Sequence, residues 1–528
     1  MTSGSPSGPS RGSAAAAGDR RDPAALRDRA AGRDREDSVD RAAAPAPALG
    51  SGPVRGRLWL VAAFTLVVVV TVALRLALGA GSLGMRYDEQ WILPPIVALI
   101  EEGWSVRTAI DFEETKGPGF IWPYALLGGA FGAAGDVALG RLRLVSALWF
   151  IVGAVPLFWI ARRSGIAGPA LLGVAAFYVL LPQSAILGQL VMSEPLFVTG
   201  ALALMALFLW SFAEDADGAA PVRRSTFRRT IGPILCCLVL AGLLHARIHA
   251  VAFAAAICAV AWLRDGPRSW PWLLAALLAG LSRIPLALRW GGLVSPMYRE
   301  MHQIAEASPL AGLANAAYLL AALVPWTGLF LLRRWSAAGL RDRRWLPLAG
   351  AGLGALAAVI ASPAFASKLP APPLWAERAP EGIVRYLGAA ASVVRSISSA
   401  PTLQAVLYVL LAAIGGASLA ALLALATARR RPALGRVARG GAYGSAVSPT
   451  RASLIDDRTI GQLAGFTLCF GVALYIATQS FVLDRYLLPW SCLLPILWWR
   501  WLPPGVRALQ FALMLAAFAW SVRAWLSP

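Results

Sequence analysis

From residue 58 to the C-terminus the chain is a succession of apolar runs separated by short polar stretches. Each run is long enough to cross a bilayer core of about 30 Å as a helix of about 20 residues. The clearest runs are 58–78, 196–212, 345–361, 403–427 and 505–522. The pattern predicts an all-α polytopic membrane protein with about 13 transmembrane helices. Their expected positions are 58–79, 139–161, 166–185, 194–213, 231–246, 248–263, 270–288, 309–332, 345–362, 401–427, 459–481, 485–501 and 505–524.

Polar positions divide the rest. Residues 1–56 are rich in Ala, Gly, Ser, Pro, Asp and Arg and nearly lack large apolar side chains. Such a segment cannot bury enough surface to fold, so it is expected to be a disordered cytoplasmic tail. Residues 57–528 form the membrane body, and 429–458 is a second polar stretch, expected as a cytoplasmic linker.

Composition agrees with this division. The 528 residues are 58% hydrophobic and 14% charged, against about 25% charged in soluble domains. The net charge of +20 would suggest nucleic acid in a soluble protein. Here the arginines sit in short loops between apolar runs, which is what membrane orientation requires, so no nucleic-acid partner is expected. Cys236, Cys237, Cys258, Cys469 and Cys492 lie in or beside apolar runs with no metal-ligand spacing and are expected to fill the core.

Arg55 and Arg57 place the N-terminus inside, and later basic clusters at 162–163, 223–229, 333–344, 429–458 and 500–507 require the intervening runs to come in pairs. Parity then decides the stretch 118–135. A third crossing before Arg162 would put that cluster outside. The stretch is short and holds five glycines with Pro118 and Pro123. It is expected to hug or re-enter the membrane within one long outer loop, 80–138. The other larger outer loops are 289–308 and 363–400.

The outward side then collects the candidate chemistry. Asp88 and Glu89 open the first outer loop, where adjacent carboxylates are costly unless solvated, paired or used. Residues 92–102 would form an interfacial helix behind them. Lys116, one of only two lysines beside 46 arginines, could bind a phosphate or neutralise Glu113 or Glu114. Arg141 and Arg143 lie at the outer end of the next helix, against the positive-inside trend. Glu194 begins a helix and could simply favour its N-terminus. His245, Arg247 and His249 cluster at an outer helix end without zinc spacing, so no metal site is assigned. Asp484, Arg485 and Tyr486 precede a late helix; Arg485 could pair with Asp484, or Arg485 and Tyr486 could hold a lipid phosphate.

In this order the motifs resemble those of the GT-C glycosyltransferases, in particular the protein O-mannosyltransferases and lipid A aminoarabinose transferases. The resemblance rests on the acidic pair Asp88–Glu89, the turn Lys116–Gly117–Pro118, the run 139–148 (LGRLRLVSAL), Ser193–Glu194–Pro195, and Arg485–Tyr486–Leu487–Leu488–Pro489. It covers 58–265 and, locally, 480–492. Glycine stands at 117 where the family has a second-position proline, and the second acid is Glu194 where Asp is commoner.

The resemblance implies transfer of a sugar from a polyprenyl monophosphate to an acceptor at the outer membrane face, with no nucleotide-sugar site. Asp88 would act on the acceptor, supported by Glu89. Lys116, Arg247, Arg485 and Tyr486 would bind the donor phosphate. Arg141 would brace the acidic loop, with Glu194 and His249 in supporting positions. Membrane lipid surrounds the body; the acceptor, whether glycan, lipid or protein, and the need for a divalent cation stay open. A transporter or flippase of lipid-linked glycans and a noncatalytic envelope scaffold are the competing classes.

Overall fold

A computed structural model describes residues 53–79, 84–85, 88–103, 117–181, 184–212, 221–301, 309–332, 345–367, 377–378, 384–385, 397, 400–427, 455–478 and 487–526. Of the expected tail 1–56, residues 1–52 lie outside them and residues 53–56 belong to the first helix; most of the linker 429–458 also lies outside.

The first helix, α1 (Pro53–Ala77), is followed by two shorter ones, α2 (Glu89–Glu101) and α3 (Pro118–Ala130). Next come the long α4 (Ala138–Arg163), the short α5 (Ala170–Val179) and α6 (Ser184–Leu187), and α7 (Ser193–Phe212). The middle of the chain forms α8 (Pro221–Ala246), α9 (Val251–Asp265), α10 (Trp270–Leu281), α11 (Ile284–Trp290) and α12 (Pro296–Met301). The last part forms α13 (Pro309–Thr327), α14 (Trp345–Ser367), α15 (Pro401–Thr427), α16 (Asp457–Thr478), α17 (Leu487–Trp490), α18 (Leu494–Trp501) and α19 (Pro504–Leu526). Among the described residues the one strand pair is Glu377–Arg378, antiparallel to Val384–Arg385.

Among the described residues, seven stretches are long and apolar enough to cross a membrane, and four shorter apolar helices accompany them. Their outward faces are apolar: Leu76 is 76% exposed, Leu288 77% and Leu348 71%. Surfaces of that kind belong in lipid, and the chain is a multi-pass membrane protein.

Four expected spans are not single helices; one of them, 309–332, turns at residues 328–329 after α13. The segment 166–185 is helical over Ala170–Val179, about 15 Å, and again from Ser184 in α6; the approach to Pro182 disfavours helix between them. The segment 270–288 breaks between α10 and α11, where Pro285 removes a helical N–H and Ser282 turns its hydroxyl back to Ala279 O at 2.7 Å. The segment 485–501 breaks between α17 and α18 at residues 491–493. There Pro495 cannot donate, and Ser491 Oγ closes on Leu487 O at 2.8 Å.

Packing is closest where side chains are smallest. A Cβ on Gly350, Gly354, Gly415 or Gly416 would strike a neighbouring helix backbone, so α14, α15 and α13 meet nearly backbone to backbone. Thr327 Oγ1 and Ser418 Oγ share a buried hydrogen bond of 2.6 Å across α13 and α15. Trp498 Nε1 donates to Trp326 O at 2.9 Å, fixing α18 on α13. The stretch 118–135 forms the 13-residue α3, about 20 Å long and shorter than a bilayer core, packed on α2 and α8.

Candidate functional site

The acidic pair is split by the start of α2. Asp88 precedes the helix and is half-buried; its backbone carbonyl accepts the N–H groups of Trp91 at 2.9 Å and Ile92 at 3.0 Å. Glu89, one residue on, points inward and is fully buried. Arg143 of α4, also fully buried, meets it as a fork: Nε donates to Oε1 at 2.8 Å and Nη2 to Oε2 at 2.5 Å. The Val191 N–H donates to Oε1 at 2.8 Å, and Arg143 Nη2 also reaches Gly84 O at 2.8 Å. A buried carboxylate is tolerable only when paired and hydrogen-bonded at both oxygens, and here both conditions are met.

The cation on Glu89 is Arg143, two residues further along α4 than Arg141. Arg141 is exposed and donates instead to Phe131 O and to Gly132 O at 2.9 Å, closing the turn after α3. The sequence marked both arginines as misplaced but could not say which one turned inward.

The segment 189–194, between α6 and the first turn of α7, is the hub of this region. Gln189 Nε2 donates to Thr71 O of α1 at 3.2 Å. The Val191 N–H holds Glu89, and Met192 O accepts the Tyr124 hydroxyl at 2.8 Å. The Tyr124 oxygen also lies 2.9 Å from Ser146 Oγ. Since a carbonyl only accepts, the tyrosine proton goes to Met192 and Ser146 donates to Tyr124. Burial, with Glu194 and Glu89 nearby, pushes the Tyr124 phenol well above its ordinary pKa, so it stays a donor.

Glu194 is buried at the start of α7, between Ser193 Oγ at 3.5 Å and Arg247 Nη2 at 2.9 Å. Arg247 reaches it from extended backbone between α8 and the 3-10 turn Ile248–Ala250. Thus Arg247 is an ion-pair partner of a carboxylate in this structure, as well as a candidate for phosphate. His249 is also buried. Its Nε2 lies 2.6 Å from the Tyr475 hydroxyl, with the rings stacked at 5.2 Å, and Trp490 packs edge-on to both. Tyr475 and Trp490 flank the segment 479–486, so His249 touches both sides of the chain that carries Arg485 and Tyr486. Lys116, Arg485 and Tyr486 themselves lie outside the described residues.

Gly117 follows Lys116, and its place in the packing is specific. A Cβ there would overlap the His245 carbonyl oxygen of α8, and one on Gly119 would lie 2.6 Å from Ala246 N. The glycine at 117, where the family pattern has proline, thus lets α3 start directly against the end of α8. Gly117→Ala is expected to cost more than the roughly 1–3 kcal/mol of ordinary overpacking, because backbone stands on the far side of the contact. The check is the fraction of monodisperse protein recovered in size-exclusion chromatography; wild-type recovery and heat resistance would refute it.

Arg283, at the break between α10 and α11, is a further polar group that periodicity did not single out. It donates to Leu244 O and, through Nε and Nη2, to Leu293 O at 3.2 and 3.0 Å, with Trp290 under its guanidinium. Arg299 continues this by donating to Trp290 O and Gly291 O. Together they shape the first part of the loop 289–308. Among the described residues no three His, Cys, Asp or Glu side chains gather as metal ligands.

The fold and site define a multi-pass membrane protein with two buried carboxylate–arginine pairs, Glu89–Arg143 and Glu194–Arg247, gathered at one end of its helices. No protein-family model matches the chain, and no curated protein matches it. Among solved structures it is similar to the crystal structure of ArnT from Cupriavidus metallidurans in the apo state, at 18% identity and a TM-score of 0.36, over 81% of this chain and 76% of that one.

Proposed function

We propose that this protein is a glycosyltransferase of the inner membrane that moves a sugar from a polyprenyl-monophosphate donor to an envelope acceptor at the outer face. The observation that carries the reading is the division of labour within the acidic pair. Glu89 is held by Arg143 and the Val191 N–H, while Asp88, next to it, is partly exposed. A partly exposed carboxylate fixed through its neighbour suits proton abstraction from an acceptor hydroxyl. Transfer from a prenyl phosphate needs no nucleotide, only cations for the leaving phosphate. Arg247, and in the sequence Lys116, Arg485 and Tyr486, are the groups assigned to it.

The opposite end of the helices is rich in arginine, which favours a cytoplasmic location for that end and an outer one for the site. Glu194, by pairing with Arg247, sets its position; His249 fixes the flanks of the segment bearing Arg485.

The test is mass spectrometry of prenyl-phosphate sugars in membranes of a strain lacking the gene. A prenyl-monophosphate sugar that accumulates there and disappears on complementation supports the proposal and names the donor. Accumulation of a prenyl-diphosphate oligosaccharide alone would instead favour a flippase.

A further inference from the structure

The end of the molecule opposite the acidic site carries a second polar surface. Two guanidinium groups converge on residues 457–459 at the start of α16, and a third, from Arg458, leaves them for the end of α15. Arg264 Nη1 donates to Thr459 Oγ1 at 3.3 Å. Arg458 closes the end of α15 through Ala426 O at 3.0 Å and Thr427 O at 3.1 Å. Arg500 grips Asp457 Oδ2 at 2.9 and 2.7 Å.

Around them arginines lie over aromatic rings: Arg163 over Trp159, Arg228 over Trp210, Arg264 over Phe212 at 4.6 Å and Arg507 over Trp499 at 4.3 Å. A guanidinium resting on a ring keeps its N–H edge for other acceptors, and its planar fork matches phosphate oxygens. The acids described at this end are Asp265, Asp456 and Asp457, and Asp457 is already paired. The flanks of the linker also meet here, since Arg458 binds Thr427 O and the Ile455 N–H donates to Arg163 O at 3.1 Å. The sequence between them, 428–454, holds Arg429, Arg430, Arg431, Arg436, Arg439 and Arg451 and no acid.

The same arginines stand on an exposed apolar rim. Phe227 is 60% exposed beside Arg228, Trp262 and Leu263 53% and 57% beside Arg264, and Trp270 61% near Arg268. Indole and phenyl groups next to arginine mark the level where acyl chains give way to headgroups. A soluble anion would have no use for that rim; a phospholipid uses both parts.

We infer that this arginine–aromatic collar is a docking surface for anionic phospholipid headgroups of the adjoining leaflet. The phosphates are taken by Arg228, Arg264 and Arg268, and the acyl chains lie along Phe227, Trp262, Leu263 and Trp270. The surface is separate from the acidic site and does not depend on what that site does.

The experiment compares thermal unfolding of the full chain in nanodiscs of phosphatidylcholine alone and of phosphatidylcholine with phosphatidylglycerol. The wild type is expected to gain several degrees in Tm from phosphatidylglycerol, and to lose that gain in high salt. The variant Arg228→Gln/Arg264→Gln/Arg268→Gln is expected to match its own phosphatidylcholine value in both discs, which removes any general destabilisation from the comparison. An unchanged gain in the variant, no gain in the wild type, or the same gain from inorganic phosphate in phosphatidylcholine discs would each overturn the inference.

Discussion

Asp88→Asn is expected to lower transfer by about 10²–10⁴-fold, the usual contribution of a positioned general base. The prenyl-monophosphate sugar that builds up in a strain lacking the gene should build up in the variant strain too. The fold should be untouched. Asp88 starts α2 through its backbone carbonyl, which accepts from Trp91 and Ile92, and asparagine offers the same carbonyl and nearly the same shape. The side-chain change removes the basic oxygen. Membrane content of the variant, measured by immunoblot, should equal wild type while the lipid-linked sugar rises. Normal sugar levels would remove Asp88 from the chemistry, and loss of the protein from the membrane would make it structural.

Arg143→Met is expected to act in the opposite way, on stability first. Met is close in length but leaves the Glu89 carboxylate buried with its cation gone. Removing one member of a buried pair costs about 3–5 kcal/mol, a large share of the stability of most proteins. Gly84 O loses its donor as well. Adding Glu89→Gln should recover much of the loss, since the amide oxygen can still accept from Val191 N–H and no charge is stranded. Recovery in the double variant is the signature of coupling between the two side chains. Half-life at elevated temperature, read by size-exclusion chromatography, checks both arms. Equal half-lives for Arg143→Met and wild type would show that the pair contributes nothing.

Much of this was legible in the sequence because lipid imposes a one-dimensional rule: apolar runs of sufficient length become helices. What hydropathy cannot see is a break inside an apolar run. Pro285 with Ser282 and Arg283, and Pro495 with Ser491, interrupt segments whose average hydropathy is unaffected. The site was half legible for a similar reason. Glu89 and Glu194 stood out as acids beside the membrane. Their partners did not follow from spacing, because Arg143 is 54 residues from Glu89 and Arg247 is 53 from Glu194. Tyr124 and Tyr475 looked like ordinary members of apolar runs, and only the structure turns their hydroxyls toward Met192 and His249. The choice between Arg141 and Arg143 depended on helix rotation, which a two-residue offset reverses.

The hub at 189–194 also sets an order of events during synthesis. Glu89 leaves the ribosome 54 residues ahead of Arg143 and 102 ahead of Val191. At about 5–20 residues per second the carboxylate therefore waits roughly 3–11 s for its cation and longer for its backbone donor. An unpaired carboxylate cannot wait in hydrocarbon, so the segment around α2 must stay hydrated until α4 and α7 arrive. The acidic site is thus a late closure of the nascent chain, sealed only when α7 is threaded, and a stall before residue 191 would leave it open to water.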